Sequence, residues 1–118
     1  MTRGPDARLR DILARLSSIA DAEEVMAAAS EHGDDRMTDV ALDAILYHLV
    51  VIGEAVRTLP DDMLATEPDI PWRLIVGMRN RLAHEYFRLR PELVRLTIDE
   101  PLRQLGPACL RLLGERQP

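Results

Sequence analysis

The stretch RMTDVALDAILYHLVVIGEAVRT, residues 36–58, decides the fold of this 118-residue chain. Its apolar residues recur at spacings of three and four, which predicts a long α-helix with a buried face. Pro60 ends the pattern, and Pro60-Asp61-Asp62 could open a single short turn of helix. We therefore expect a helical protein organised around this segment.

The residues before this segment also have helical spacing. A first helix is predicted from about Asp6, and Asp21 could restart it before it ends near His32. The sequence Gly33-Asp34-Asp35 then marks a break and supplies a new N-terminal cap. The apolar residues on the predicted inner face of the first helix are Leu9, Ile12, Leu13, Leu16 and Ile19.

Two further helices are predicted after the central one. The third begins at Pro71, a residue that suits the first helical position, and continues to roughly Tyr86. The fourth begins at Pro91. We expect Pro101 and then Gly106-Pro107 to kink or break it before the apolar residues of the C-terminal part.

Composition and length agree with one all-α domain. Apolar residues make up 47% of the chain and aromatic residues only 3%, so aliphatic side chains must fill the interior. A chain of this length is expected to form a single domain over residues 1–118, with a core from about 6 to 113. The predicted fold is an antiparallel four-helix bundle with short extra helical turns.

The lengths of the apolar runs, the N-terminal residues and the single cysteine indicate the expected compartment. No apolar run approaches the roughly 20 residues needed to span a bilayer, and Arg3 and Asp6 precede any apolar stretch, unlike a secretory signal. The single cysteine, Cys109, cannot form an internal disulfide, which favours a reducing cytoplasm. We predict a cytoplasmic protein without a membrane anchor.

Positive charge is concentrated in one segment of an acidic chain. All basic residues are arginine, and the net charge is -5, which argues against nucleic-acid binding by the whole surface. Residues 1–72 contain six arginines and fifteen acidic residues, whereas residues 73–95 contain six arginines and two acidic residues. This distribution predicts a local anion site.

The basic segment contains a cluster of residues that can act on phosphodiesters. In a regular helix Arg79 lies on an otherwise apolar stripe, where a guanidinium is costly unless it meets an anion or a carboxylate. Gly77, Asn80 and His84 share a neighbouring face, so Asn80 can orient the imidazole of His84. The spacing alone still leaves structural roles open: a helix-terminal histidine, an arginine paired with a carboxylate, and Tyr86 as a core aromatic residue.

A carboxylate in the apolar part of the central helix is a second clue. Glu54 follows Gly53, which lowers helix propensity without an obvious local reason. Close backbone approach at Gly53, with Glu54 pairing an arginine across a helix or subunit boundary, would explain both residues. Glu54 could equally face solvent with Arg57 one turn away.

The other histidines are expected to have structural roles. His48 is predicted to be a satisfied core or interface histidine, and His32 an exposed residue at a helix end. Because the sequence contains no Glu-x-x-His, Cys-x-x-Cys or His-x-x-x-His pair, it predicts neither a metal site nor a bound cofactor.

The motifs resemble those of the HepT-like toxins of the HEPN superfamily. The resemblance lies in Gly77-Met78-Arg79-Asn80-x-Leu82-x-His84-x-Tyr86-Phe87, the preceding Trp72-Arg73, and the earlier Ile52-Gly53-Glu54-Ala55. It extends from the first helix to about Leu113, and every signature position is present.

The resemblance implies a homodimeric four-helix bundle whose motif helices line one cleft. It implies a metal-independent endoribonuclease that is the toxin of a toxin–antitoxin pair. The partner would be a minimal nucleotidyltransferase antitoxin that transfers AMP to Tyr86. The catalytic residues would be Arg79 and His84, supported by Asn80 and Glu54, with RNA bound by Arg73, Arg81 and Arg88.

Two other functions are compatible with the sequence. A non-catalytic helical dimer could bind a nucleotide or scaffold a partner protein, because a fold does not fix a function. A helix-turn-helix DNA-binding protein is disfavoured by the acidic balance and by the lack of a basic recognition helix.

Overall fold

The structure, a computed structural model, describes residues 4–85 and 101–114. Five helices lie in these ranges: α1 (Pro5–Glu31), α2 (Asp35–Arg57), α3 (Asp61–Ala65), α4 (Trp72–Glu85) and α5 (Leu105–Leu112). The protein is all-α, and α1 and α2 form an antiparallel hairpin onto which α4 and α5 pack. None of the described helices is both long and apolar enough to cross a membrane.

The turn between α1 and α2 forms as its sequence predicts. Gly33 adopts φ 69°, a left-handed conformation that glycine tolerates at a helix end. Asp34 caps α2, and its carboxylate accepts a hydrogen bond of 3.1 Å from the backbone N–H of Met37. These contacts bring α2 back along α1 and create the hairpin.

The core is aliphatic, as the composition predicts. It is formed where α1, α2, α4 and the C-terminal residues meet. Its most fully buried large side chains are Leu9, Ile12, Met26, Ile45, Ile52, Val56, Met78, Leu105 and Cys109.

Helices α2 and α4 approach closely at a glycine. A Cβ placed on Gly53 would lie 3.6 Å from the carbonyl oxygen of Val76 and 3.8 Å from that of Ile75. The close backbone approach predicted at Gly53 is therefore present, and it fixes the position of α4 on α2.

The connection between α3 and α4 is held from two sides. Trp72 Nε1 donates to the carbonyl oxygens of Leu64 and Glu67, both at 3.1 Å. Glu67 in turn accepts three hydrogen bonds from Arg111 of α5, with distances of 2.7 Å for Nη2–Oε1, 3.0 Å for Nε–Oε2 and 3.2 Å for Nε–Oε1. Donation of these hydrogen bonds to the Glu67 carboxylate raises the pKa of the Arg111 guanidinium. These contacts anchor the first residue of α4.

Two predicted interruptions differ from the structure. Helix α1 continues through Asp21, whose exposed carboxylate can be solvated without a new cap. The break after Pro101 occurs at residues 103–104, and Gly106-Pro107 belongs to the first turn of α5. Proline is tolerated there because the first N–H groups of a helix have no partner within the helix. The predicted start at Pro91 lies outside the described residues.

Candidate functional site

Helix α4 carries the arginine and histidine motif. Its backbone includes Arg79, Arg81 and His84, and the predicted start at Pro71 differs from the observed start by one residue. Tyr86 and Arg88 lie outside the described residues. The motif is therefore on a helix, as its spacing predicts.

One side of α4 is exposed and polar. Arg73, Gly77 and Asn80 are all exposed and follow one another at i, i+4 and i+7. His84 comes one turn after Asn80 in the same helical register. Arg79 is about 140° from His84 around the helix axis. The register of the helix backbone thus groups Arg73, Asn80 and His84 on one side.

Gly77 has no packing role within the described chain. A Cβ placed on it would meet no atom within 4 Å, in contrast to Gly53. Glycine in a helix interior costs about 1 kcal/mol relative to alanine. Because Gly77 is not explained by packing among the described residues, close approach of another molecule to α4 could explain it.

Glu54 and Arg57 form an ion pair on α2. Arg57 Nη2 donates to Glu54 Oε2 at 2.6 Å, and the Glu54 side chain is 42% exposed. The sequence allows two arrangements for Glu54, a pair with an arginine across a boundary or a solvent-facing position near Arg57. The ion pair within α2 corresponds to the second. It places a carboxylate and a guanidinium at the end of α2 that faces the beginning of α4.

A cleft of about 320 Å³ separates the end of α2 from α3 and the first turns of α4. We call it the α2–α4 cleft. Arg57, Asp61 and Arg73 are its charged lining residues, and Gly77 also contributes to its wall. Its apolar lining consists of Val56, Leu59, Leu64, Trp72 and Val76.

The sequence did not predict this cleft. Trp72 is the only tryptophan of the chain, which could have drawn attention to it. Its importance becomes visible only through the contacts that fix its indole against α3 and the following turn. The cleft itself depends on three separate segments meeting in space.

His48 belongs to a different part of the molecule. Arg15 of α1 lies 3.3 Å from its Nδ1 and 5.3 Å from the ring centre of Tyr47, whose ring contacts that of His48 edge-on. Burial, and secondarily the charge of Arg15, lowers the pKa of His48. His48 is thus a half-buried histidine with a partner on α1, as predicted.

The remaining histidine and the cysteine are structural. His32 is exposed at the end of α1, where its Nδ1 bonds the carbonyl oxygen of Ala28 at 2.8 Å. Cys109 is fully buried in α5, and burial raises the pKa of its thiol to about 12. A thiol with that pKa stays protonated near neutral pH and is a poor nucleophile.

Comparison with known proteins identifies the family. Residues 9–112 match the family described as "Ribonuclease HepT-like", and the chain therefore belongs to the HepT-like ribonuclease family. This agrees with the resemblance seen in the motifs. No solved structure matches the chain.

Several curated proteins are similar to this chain. A Methanocaldococcus jannaschii protein named "Putative RNase" is 35% identical over 75% of this chain and 69% of its own length. A Caldanaerobacter subterraneus protein of the same name is 37% identical over 63% of this chain and 66% of its own length. The "Probable ribonuclease HepT" of Thermococcus cleftensis is 36% identical over 52% of this chain and 56% of its own length. The matches thus span between about half and two thirds of these relatives.

Proposed function

We propose that this protein is a metal-independent endoribonuclease whose catalytic residues are Arg79 and His84. The observation that carries the proposal is the Arg79-x4-His84 motif on α4 of a HepT-like chain, beside the exposed Arg73 and Asn80. The names of the related proteins support the same activity.

The chemistry needs no group beyond those on the chain and the RNA. The 2′-oxygen attacks phosphorus and the bond to the 5′-oxygen breaks, which leaves a cyclic phosphate and a 5′-hydroxyl. One group must take the 2′-hydroxyl proton, another must protonate the leaving oxygen, and a cation must stabilise the charge on the phosphate. Histidine is the side chain best suited to proton transfer near neutral pH, and His84 fills that role here, while Arg79 binds the phosphate through its bidentate fork.

The remaining polar residues support these two. Asn80 orients the imidazole of His84 from one turn away, and Glu54 supports the site from α2. Arg73, Arg81 and Arg88 bind neighbouring phosphates, as the positive balance of residues 73–95 suggests.

The active form in this proposal is a homodimer. Each motif contains one histidine, so a separate acid and base come most simply from two subunits. Arg79 and His84 are also about 140° apart on one straight helix, and a cleft shared by two chains helps them converge.

A nucleotidyltransferase antitoxin neutralises this toxin by modifying Tyr86. The phenol oxygen attacks the α-phosphorus of ATP, loses its proton, and releases pyrophosphate, leaving AMP on the tyrosine. Because Tyr86 is two residues beyond His84, the added bulk and negative charge would block the RNA path.

The decisive experiment is RNA cleavage in the presence of a chelator. The purified protein should cut RNA, and His84→Ala or Arg79→Ala should lower the rate at least about a hundredfold, as expected for loss of acid–base or charge stabilisation. His32→Ala is the matched control, because His32 is exposed at the far end of α1. If His84→Ala and the parent protein cleave RNA at the same rate, the catalytic role proposed for His84 is wrong.

The modification is tested by intact mass after co-expression with the candidate antitoxin and ATP. We expect additions of AMP that disappear in Tyr86→Phe and persist in Tyr47→Phe, since Tyr47 is an exposed tyrosine on α2. A neutralised toxin with an unmodified Tyr86 would instead indicate inhibition by binding.

A further inference from the structure

We propose that the α2–α4 cleft binds one base of the RNA strand beside the scissile phosphate. This inference rests on the proposed ribonuclease function and adds a recognition site to it. The cleft volume of about 320 Å³ lies at the lower end of the range for small-ligand sites, which suits a single planar base.

The inner surface of the cleft fits an aromatic ligand. Val56, Leu64 and Val76 line it together with the half-buried ring of Trp72. The indole cannot turn away easily, because its Nε1 donates to the carbonyl oxygens of Leu64 and Glu67. A fixed aromatic side chain is the usual platform on which proteins stack bases of single-stranded RNA.

The rim of the cleft fits the polar parts of a nucleotide. Arg57 and Arg73 are exposed there and can contact phosphate oxygens on either side of the bound base. Asp61 is also at the rim, and its carboxylate can accept a hydrogen bond from an exocyclic amino group. An apolar side chain of a partner protein could fill the same floor, but it would offer no anion to Arg73, whereas Arg57 already pairs with Glu54.

The cleft is continuous with the motif face of α4. Gly77 lines the cleft and precedes His84 by seven residues on the same side of the helix, about 10 Å along its axis. Since no atom of residues 4–85 or 101–114 would lie within 4 Å of a Cβ on Gly77, an RNA backbone can pass close to α4 there. A strand with one base in the cleft would therefore continue past Asn80 to His84.

The test uses the full-length His84→Ala protein, so that the RNA stays intact. Its affinity is measured for one short RNA and for copies carrying a single abasic site at successive positions. We expect one abasic position to weaken binding about fivefold or more, as loss of a stacked base does. No effect at any position would overturn the proposal.

A variant that fills the cleft shows where that base binds. Gly77→Leu in the same background should bind the intact RNA about fivefold more weakly and should no longer distinguish the abasic copy. Ala27→Leu, an exposed position on α1, is the matched control and should keep the distinction. Circular dichroism confirms that both variants are folded. The proposal of a base in this cleft is contradicted if Gly77→Leu still binds the intact RNA more tightly than the abasic copy. It is also contradicted if Gly77→Leu loses binding to a partner protein while its affinity for RNA is unchanged.

Failure of the two proposals can be told apart. If the His84-containing Gly77→Leu protein cleaves RNA with the parent's KM, the cleft proposal is wrong and the ribonuclease stands. If the parent protein cleaves no RNA but the abasic and Gly77→Leu effects are observed, the ribonuclease is wrong and the cleft is still a base-binding site.

Discussion

The two glycines of the α2–α4 region, Gly53 and Gly77, have different surroundings. Gly53 lies in a tight helix contact, since its nearest neighbours are backbone atoms of Val76 and Ile75 that cannot rotate away. No atom of the described residues would lie within 4 Å of a Cβ on Gly77. Of these two glycines, Gly53 is therefore the one in contact with a neighbouring helix in the part of the chain that the structure describes.

Substitution of each glycine by leucine should separate these roles. We expect Gly53→Leu to lower the free energy of unfolding by about 1–3 kcal/mol, because a large side chain would push α4 from α2. Gly77→Leu should leave the free energy of unfolding unchanged or raise it by up to about 1 kcal/mol through better helix propensity. Urea denaturation measures both, and the opposite order would show that the α2–α4 contact is misplaced.

His48 makes the α1–α2 hairpin sensitive to pH. Its pKa in the folded protein is below the ordinary value of 6.5, mainly because of burial and also because of Arg15. The unfolded chain therefore takes up this proton first as the pH falls, so the contribution of His48 is present above pH 6.5 and is lost below it.

The melting temperature as a function of pH tests this effect. We expect the decline in Tm below about pH 6.5 to be smaller in His48→Gln than in the parent. The exposed His32 provides the control, and His32→Gln should keep the parent's pH profile. Identical profiles for His48→Gln and the parent would show that other groups cause the acid sensitivity.

At the scale of elements, one ion pair joins the α3–α4 connection to α5. Glu67 is only 16% exposed and accepts three hydrogen bonds from Arg111, which lies 44 residues further along the chain. The same residue supplies a carbonyl oxygen to Trp72 at the beginning of α4. The pair therefore positions the wall of the α2–α4 cleft.

Removal of this carboxylate should affect both stability and the cleft. We expect Glu67→Ala to lower Tm, because it leaves the Arg111 guanidinium without its bidentate acceptor. The fluorescence of Trp72, the single tryptophan, should also report a more exposed ring. Glu24→Ala removes an exposed carboxylate from α1 and should change neither signal. Unchanged Tm and fluorescence in Glu67→Ala would mean that the pair is dispensable.

The elements that the sequence predicts well are those with strong local signals. Gly33 and Asp34 end one helix and cap the next through contacts within a few residues, and Pro60 ends α2 in the same local way. Asp21 and Pro107 misled the prediction, because both residues are compatible with helix as well as with its interruption. Packing of the apolar face decided in favour of helix at both positions.

The candidate site was predictable only in part. The positions of Asn80 and His84 on one helix follow from spacing, and the structure keeps that register. The alternatives for Glu54 could not be resolved from sequence, because the choice depends on neighbours in space as well as on Arg57 one turn away. The cleft beside Trp72 was missed for the same reason, since it combines three segments.

At the scale of the whole molecule, the exposed apolar side chains of α2 and of α4 lie on different sides. Met37, Val40 and Tyr47 lie along the outer side of α2, which at Val40 is about 140° around the helix from the Gly53 contact with α4. Leu74 lies on α4, one turn before Gly77. Leu74 is about 120° around the axis from Asn80, which lies between Arg79 and His84 in the helical register. A dimer that brings two motif helices to one cleft must form over the side of α4 that carries Asn80, not over the outer side of α2.

Matched charge substitutions on these two sides test the proposed dimer. Asn80 and Val40 are both exposed, and both are in helices that accept glutamate. We expect Asn80→Glu to weaken dimerisation about tenfold or more, because the carboxylates of two subunits would be buried together at the seam, while Val40→Glu leaves the dimer intact. Sedimentation equilibrium measures the dissociation constants, and circular dichroism confirms the fold. If Val40→Glu dissociates the dimer and Asn80→Glu does not, the two α4 helices lie on opposite outer sides of the assembly, and each His84 would have to act without its counterpart.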